Sequence, residues 1–103
     1  MIDLVTQHLD DIAALCRHYG VRRLDLFGSA ATGEFDPERS DIDFLVEYPP
    51  DYDLGPWAAR HFELQERLEQ LLGRRVDLVM ASALRKPRFI ESVNQTRQLL
   101  YAA

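Results

Sequence analysis

The sequence predicts an α/β fold: a short mixed β-sheet with helices packed on one face. Two observations point there. Stretches with helical apolar spacing are interspersed with brief strand-like runs, and glycine or proline punctuates the joins. The 103 residues, 47% hydrophobic and 28% charged, suit one compact domain spanning 1–103, with no internal repeat or low-complexity segment.

Val5, Leu9, Ile12, Cys16 and Tyr19 recur at spacings that place them along one stripe of a helix, which Gly20 ends. Arg22 to Phe27 reads as a strand with Leu24 and Leu26 on one side, closed by Gly28-Ser29. Ala30, Ala31 and Thr32 fit a brief helical turn beginning at Ser29, and Gly33 to Ser40 reads as a loop. Asp41 to Glu47 has strand composition, with Ile42, Phe44 and Val46 on one face, and is expected to be the central strand. Pro49, Pro50, Gly55 and Pro56 bracket an exposed loop. Leu64, Leu68, Leu71 and Leu72 mark a second long helix closed by Gly73, and Arg75 to Met80 alternates as a third strand. Pro87 suits a first helical turn, and Phe89, Val93, Thr96 and Leu100 follow at helical spacing, so a last helix is expected through Leu100. The predicted order is helix, strand, strand, helix, strand, helix.

The chemistry concentrates on aspartates. Asp41 and Asp43 lie two apart on a strand, so both project from one face while Ile42 and Phe44 enter the core behind them. Adjacent carboxylates repel unless a cation sits between them, and Mg²⁺ is the hard ion that carboxylates and phosphate oxygens suit. Asp77, between Val76 and Leu78, points away from the side those two bury and can join the pair. Such a trio aligns a triphosphate, neutralises its leaving group and activates an attacking hydroxyl, with Asp77 also a candidate base. Gly28-Ser29 ends a strand, where backbone can approach a phosphate and a serine hydroxyl can meet it. A lone Gly-Ser carries almost no information; its value comes from lying upstream of the carboxylate pair.

Composition narrows the partners. Twelve Lys and Arg against seventeen Asp and Glu give a net charge of −5, the wrong sign for non-specific attraction to nucleic acid, so no direct nucleic-acid partner is expected. The single cysteine, Cys16, forms no internal disulfide, and the N-terminal residues lack a basic region followed by an apolar signal stretch, so a soluble, cytoplasmic protein is expected. No apolar run approaches the roughly 20 residues that cross a bilayer, so no membrane association is expected.

Leu26-Phe27-Gly28-Ser29 followed by Ser40-Asp41-Ile42-Asp43-Phe44-Leu45-Val46 resembles the signature of the DNA polymerase β-like nucleotidyltransferases, in their minimal form. The resemblance covers nearly the whole chain, from Arg22 through the Arg74-Arg75-Val76-Asp77-Leu78-Val79 strand and into the last predicted helix. It implies the polymerase β-like fold, Mg²⁺ on Asp41, Asp43 and Asp77, and nucleotide phosphates on Gly28 and Ser29. It further implies the antitoxin half of a toxin–antitoxin pair, a hetero-oligomer with a HEPN-domain toxin that is neutralised by transfer of AMP from ATP to a tyrosine. The family pattern separates Gly-Ser from Asp-x-Asp by ten residues, and eleven, Ala30 to Ser40, stand between them here. Lengthening a surface loop by one residue costs little.

Other residues have plainer readings. Ser40 is expected to brace its loop, Cys16 to lie in the core, His8 and His18 to be solvated, and His61 to be packed rather than a ligand. Arg39, Arg85, Lys86 and Arg88 can reach a triphosphate, although ordinary surface charge explains each more simply. Trp57 and Tyr52 are candidates for partner contact, with core packing an equal explanation for Trp57. The rival to catalysis is a binding module that blocks a toxin by occlusion. A small-molecule acceptor is a further alternative, disfavoured because no second substrate domain is expected.

Overall fold

The computed structural model describes residues 1–103. The first helical stripe forms as two pieces, α1 (Asp3–Thr6) and α2 (Leu9–His18). Between them His8 leaves helical backbone at φ −118°, ψ 17°, and its ring Nδ1 lies 2.8 Å from the Leu4 carbonyl. The break does not scatter the stripe: Val5, Ile12, Cys16 and Tyr19 are all buried. Cys16, shut away from water, has its thiol pushed up to about 12 and is inert as a nucleophile.

Four strands form one mixed sheet in the order β3-β2-β1-β4. They are β1 (Arg23–Phe27), β2 (Ile42–Glu47), β3 (Val76–Met80) and β4 (Gln98–Ala102). β2 is an inner strand, antiparallel to β1 and parallel to β3. A parallel neighbour demands a crossover, and α4 (Ala59–Leu72) supplies it. The β1–β2 connection carries the short α3 (Ser29–Thr32).

Strand alternation sorts the side chains. Leu24, Leu26, Ile42, Phe44, Val46, Val76 and Leu78 point to the face covered by α2 and α4, meeting Ile12, Cys16, Leu64, Leu68 and Leu72 in the main core. Each of the fully buried Leu, Ile and Phe side chains contributes about 1.5–3 kcal/mol. The opposite face carries a second, small cluster of Phe27, Leu45 and Val93, the last from α5 (Pro87–Thr96). Two helices therefore cover one face as expected, and a third partly roofs the other.

The expected helix through Leu100 is corrected at its end. Arg97 turns to extended backbone at φ −61°, ψ 137°, and residues 98–102 pair antiparallel with β1. Leu100, placed on the helical stripe by its spacing, belongs to a strand, and the element order gains a final strand.

His61 is packed within the core: its Nε2–H donates to the Leu78 carbonyl at 3.0 Å, leaving Nδ1 to accept from the Tyr48 hydroxyl at 2.9 Å. Because a carbonyl only accepts, this fixes the tautomer, and burial lowers the ring's tendency to protonate. Tyr48 stacks on Tyr52, whose hydroxyl donates to the Tyr19 carbonyl and so pins the proline-rich loop. Trp57 is 95% exposed and does not join the core. No helix is long and apolar enough to cross a membrane.

Candidate active site

The expected carboxylates stand together on the sheet face opposite the main core. Ile42 and Phe44 are fully buried in that core, so Asp43 between them must face the other way. The parallel register pairs Asp43 with Asp77 directly across β2 and β3, while Phe27, the last residue of β1, faces Asp43 from the other side. Asp41 precedes β2 by one residue, close enough for its charge to act on Asp43.

The electrostatics reflect that crowding. Asp43 is partly buried and its carboxyl is pushed up to about 6, first by loss of water and then by the charges of Asp77 and Asp41. Asp41 Oδ1 lies 2.9 Å from Arg75 Nε, yet the N–H does not point along that line, so this oxygen is shut from water without a hydrogen bond. The guanidinium meets its charge without an aligned donor, and a hard cation suits such an oxygen. No three carboxylate, imidazole or thiol groups are gathered into a ready metal cage. Phosphate oxygens and water would therefore complete the shell of an ion held here, as suits Mg²⁺.

Gly28 closes this site from β1. Its backbone, at φ 72° and ψ −152°, suits glycine alone, and a Cβ there would sit 2.6 Å from Asp43 Oδ2. Ser29 follows at the start of α3, so the Gly-Ser turn lies against the middle carboxylate. The Gly28 N–H donates to Thr96 Oγ1 at 2.9 Å, which ties the turn to the end of α5.

Beneath the same face lies an ion pair that sequence reading missed. Asp25, fully buried in β1, accepts from Arg97 Nε at 2.7 Å and from Arg97 Nη2, with Arg23 Nε at 3.2 Å on its other oxygen. It anchors the end of α5 and the start of β4 to the sheet. The available signal was a lone charge between Leu24 and Leu26 on a short strand.

The remaining polar candidates are structural or peripheral. Ser40 braces the loop as expected, its hydroxyl accepting from the Asp36 N–H at 3.0 Å. Arg74 spans the same loop, its guanidinium 5.0 Å from the Phe35 ring centre and bonded to the Pro37 carbonyl. Arg85 turns back on the carbonyls of Ser82 and Leu84.

The nucleotidyltransferase domain family matches residues 12–100. The chain belongs to that family. The protein adenylyltransferase MntA of Thermococcus cleftensis is 42% identical over 82 residues, covering 80% of this chain and 75% of its own length. A solved minimal nucleotidyltransferase superposes with a TM-score of 0.75 at 33% identity, covering 93% of this chain and 92% of that one. A toxin–antitoxin crystal structure with AMP-PNP gives 0.72 at 25% identity, covering 92% of this chain and 73% of its match. This is a nucleotidyltransferase of the minimal, single-sheet kind.

Proposed function

We propose that the chain is a Mg²⁺-dependent protein adenylyltransferase that moves AMP from ATP to a hydroxyl, a tyrosine, of a HEPN-type toxin, and so acts as its antitoxin. The observation that carries this reading is the setting of Asp43. It lies in register with Asp77, near Asp41, and against a backbone turn, Gly28-Ser29, that tolerates no side chain at Gly28.

Asp41, Asp43 and Asp77 would hold the cation, and the buried Asp41 Oδ1 that lacks a donor fits that role. Bound Mg²⁺ supplies charge neutralisation for the triphosphate and lowers the pKa of an attacking hydroxyl. Ser29 offers its hydroxyl to the phosphates, and bare backbone at Gly28 allows them to approach. The acceptor oxygen bonds to the α-phosphorus as the bond to the bridging oxygen breaks and pyrophosphate leaves. Asp77, exposed on its strand, would take the acceptor's proton.

The toxin–antitoxin assembly among the structural relatives and the adenylyltransferase among the sequence relatives support the acceptor class. The test is incubation with labelled ATP, Mg²⁺ and a HEPN-type partner, comparing the wild type with Asp41→Ala plus Asp43→Ala. Label on a partner tyrosine with wild type alone is the expected result. Equal neutralisation by both proteins with no label on either would replace catalysis by occlusion.

A further inference from the structure

Of the three carboxylates, only Asp41 has a cationic side chain within 4 Å, and that cation is Arg75. The contact is 2.9 Å long but its N–H is misdirected, so charge rather than an aligned hydrogen bond holds it. Although the contacting Asp41 Oδ1 is covered, both side chains are largely open to solvent, that of Arg75 70% exposed and that of Asp41 45%. Exposed pairs of this kind shift an equilibrium by no more than about fivefold.

Arg75 also has somewhere else to go. Its Nη2 reaches the Arg39 carbonyl at 3.4 Å, and its side chain lines a polar pocket of about 340 Å³ with Ser40, Glu38 and Arg74. We propose that Arg75 is a resident counter-charge: it occupies Asp41 while no divalent cation is bound, and its withdrawal into that pocket is the step that frees Asp41 as a ligand. This rests on the metal-binding reading given above and adds a residue that sets how readily the site loads. Arg75 is thus a positioning residue that acts through Asp41.

The same geometry lowers the electrostatic cost of gathering three carboxylates. One negative charge is offset locally, and the offset is weak enough for a doubly charged ion to displace it. Removing Arg75 makes the empty site less stable and the loaded site easier to reach.

The test is titration of the whole chain with Mn²⁺ alone, a paramagnetic substitute for Mg²⁺, with free ion read by electron paramagnetic resonance. Arg75→Gln is expected to bind Mn²⁺ two- to fivefold more tightly than wild type and to melt lower in EDTA, with the difference closing at saturating Mn²⁺. Arg74→Gln, one residue away but bonded to a loop carbonyl, controls for loss of a nearby charge and is expected to match the wild-type affinity. Unchanged or weaker binding by Arg75→Gln, or equal tightening by Arg74→Gln, overturns the proposal while leaving the metal site standing. If wild type and Asp43→Asn take up Mn²⁺ alike, the carboxylates are not the metal site and both readings fall.

Discussion

Replacing Asp43 by asparagine is expected to stabilise the metal-free protein while abolishing its chemistry. Burial, then Asp77, then Asp41 push the Asp43 carboxyl from 3.8 up to about 6, so the folded chain holds this proton more tightly than the unfolded chain does. The native state therefore bears no penalty below about pH 4, loses stability as pH rises from about 4 to about 6, and carries the whole loss above that. The interval corresponds to roughly 3 kcal/mol. Water reaching the partly exposed carboxyl screens it, leaving about 1–2 kcal/mol. For a domain of this size that is a rise in Tm of roughly 5–10 °C. Circular-dichroism melts in EDTA at pH 7.5 should show Asp43→Asn above wild type by that amount, and melts at pH 4.5 should bring the two close together. Added MgCl₂ should stabilise the wild type and leave the variant unmoved. A variant that melts at or below wild type at pH 7.5 in EDTA refutes the claim that these carboxylates are crowded.

Gly28→Ala places a methyl 2.6 Å from Asp43 Oδ2 on backbone that only glycine favours, so it displaces the carboxylate at a cost of about 1–3 kcal/mol. Transfer of labelled AMP should fall roughly 100-fold with the fold retained, and unchanged turnover would exclude a role for this close approach. Arg97→Ala leaves Asp25 buried with Arg23 alone, and urea unfolding should show a loss of about 3 kcal/mol. A loss below about 1 kcal/mol would mean that the pair does not anchor α5. Trp57→Gly removes a ring that is 95% exposed and relieves left-handed backbone at φ 58°, so stability should hold or rise by up to about 1 kcal/mol. A clear fall would show that the ring packs in solution.

The acidic face was legible because strand geometry is unforgiving. Once Ile42, Phe44, Val76 and Leu78 are assigned to a core, Asp43 and Asp77 have no other side to occupy. What no local pattern encodes is their register, which comes from β2 and β3 lying parallel under α4. The same holds for Arg75, whose role depends on a loop 36 residues away in sequence. The split between α1 and α2 was invisible for a different reason: Gln7 and His8 are not helix breakers, and the apolar stripe continues across them.

β4 shows how a helical pattern can overrun its helix. Val93, Thr96 and Leu100 keep helical spacing, and no glycine or proline falls between Thr96 and Tyr101 to stop them. Long-range demands end the helix instead. Without β4, β1 would present an unpaired edge of backbone donors and acceptors beside the buried Asp25, an arrangement folded chains avoid. Arg97 meets both needs in one residue: its guanidinium neutralises Asp25, and its extended backbone turns the chain into register along β1. Thr96, the last helical residue, is thereby set against the Gly28 N–H. The point at which the helix gives way to the strand therefore sets the residue that fastens the Gly-Ser turn to α5. Changes at Arg97 should thus reach the site through Thr96 and Gly28 even though Arg97 touches none of the three carboxylates.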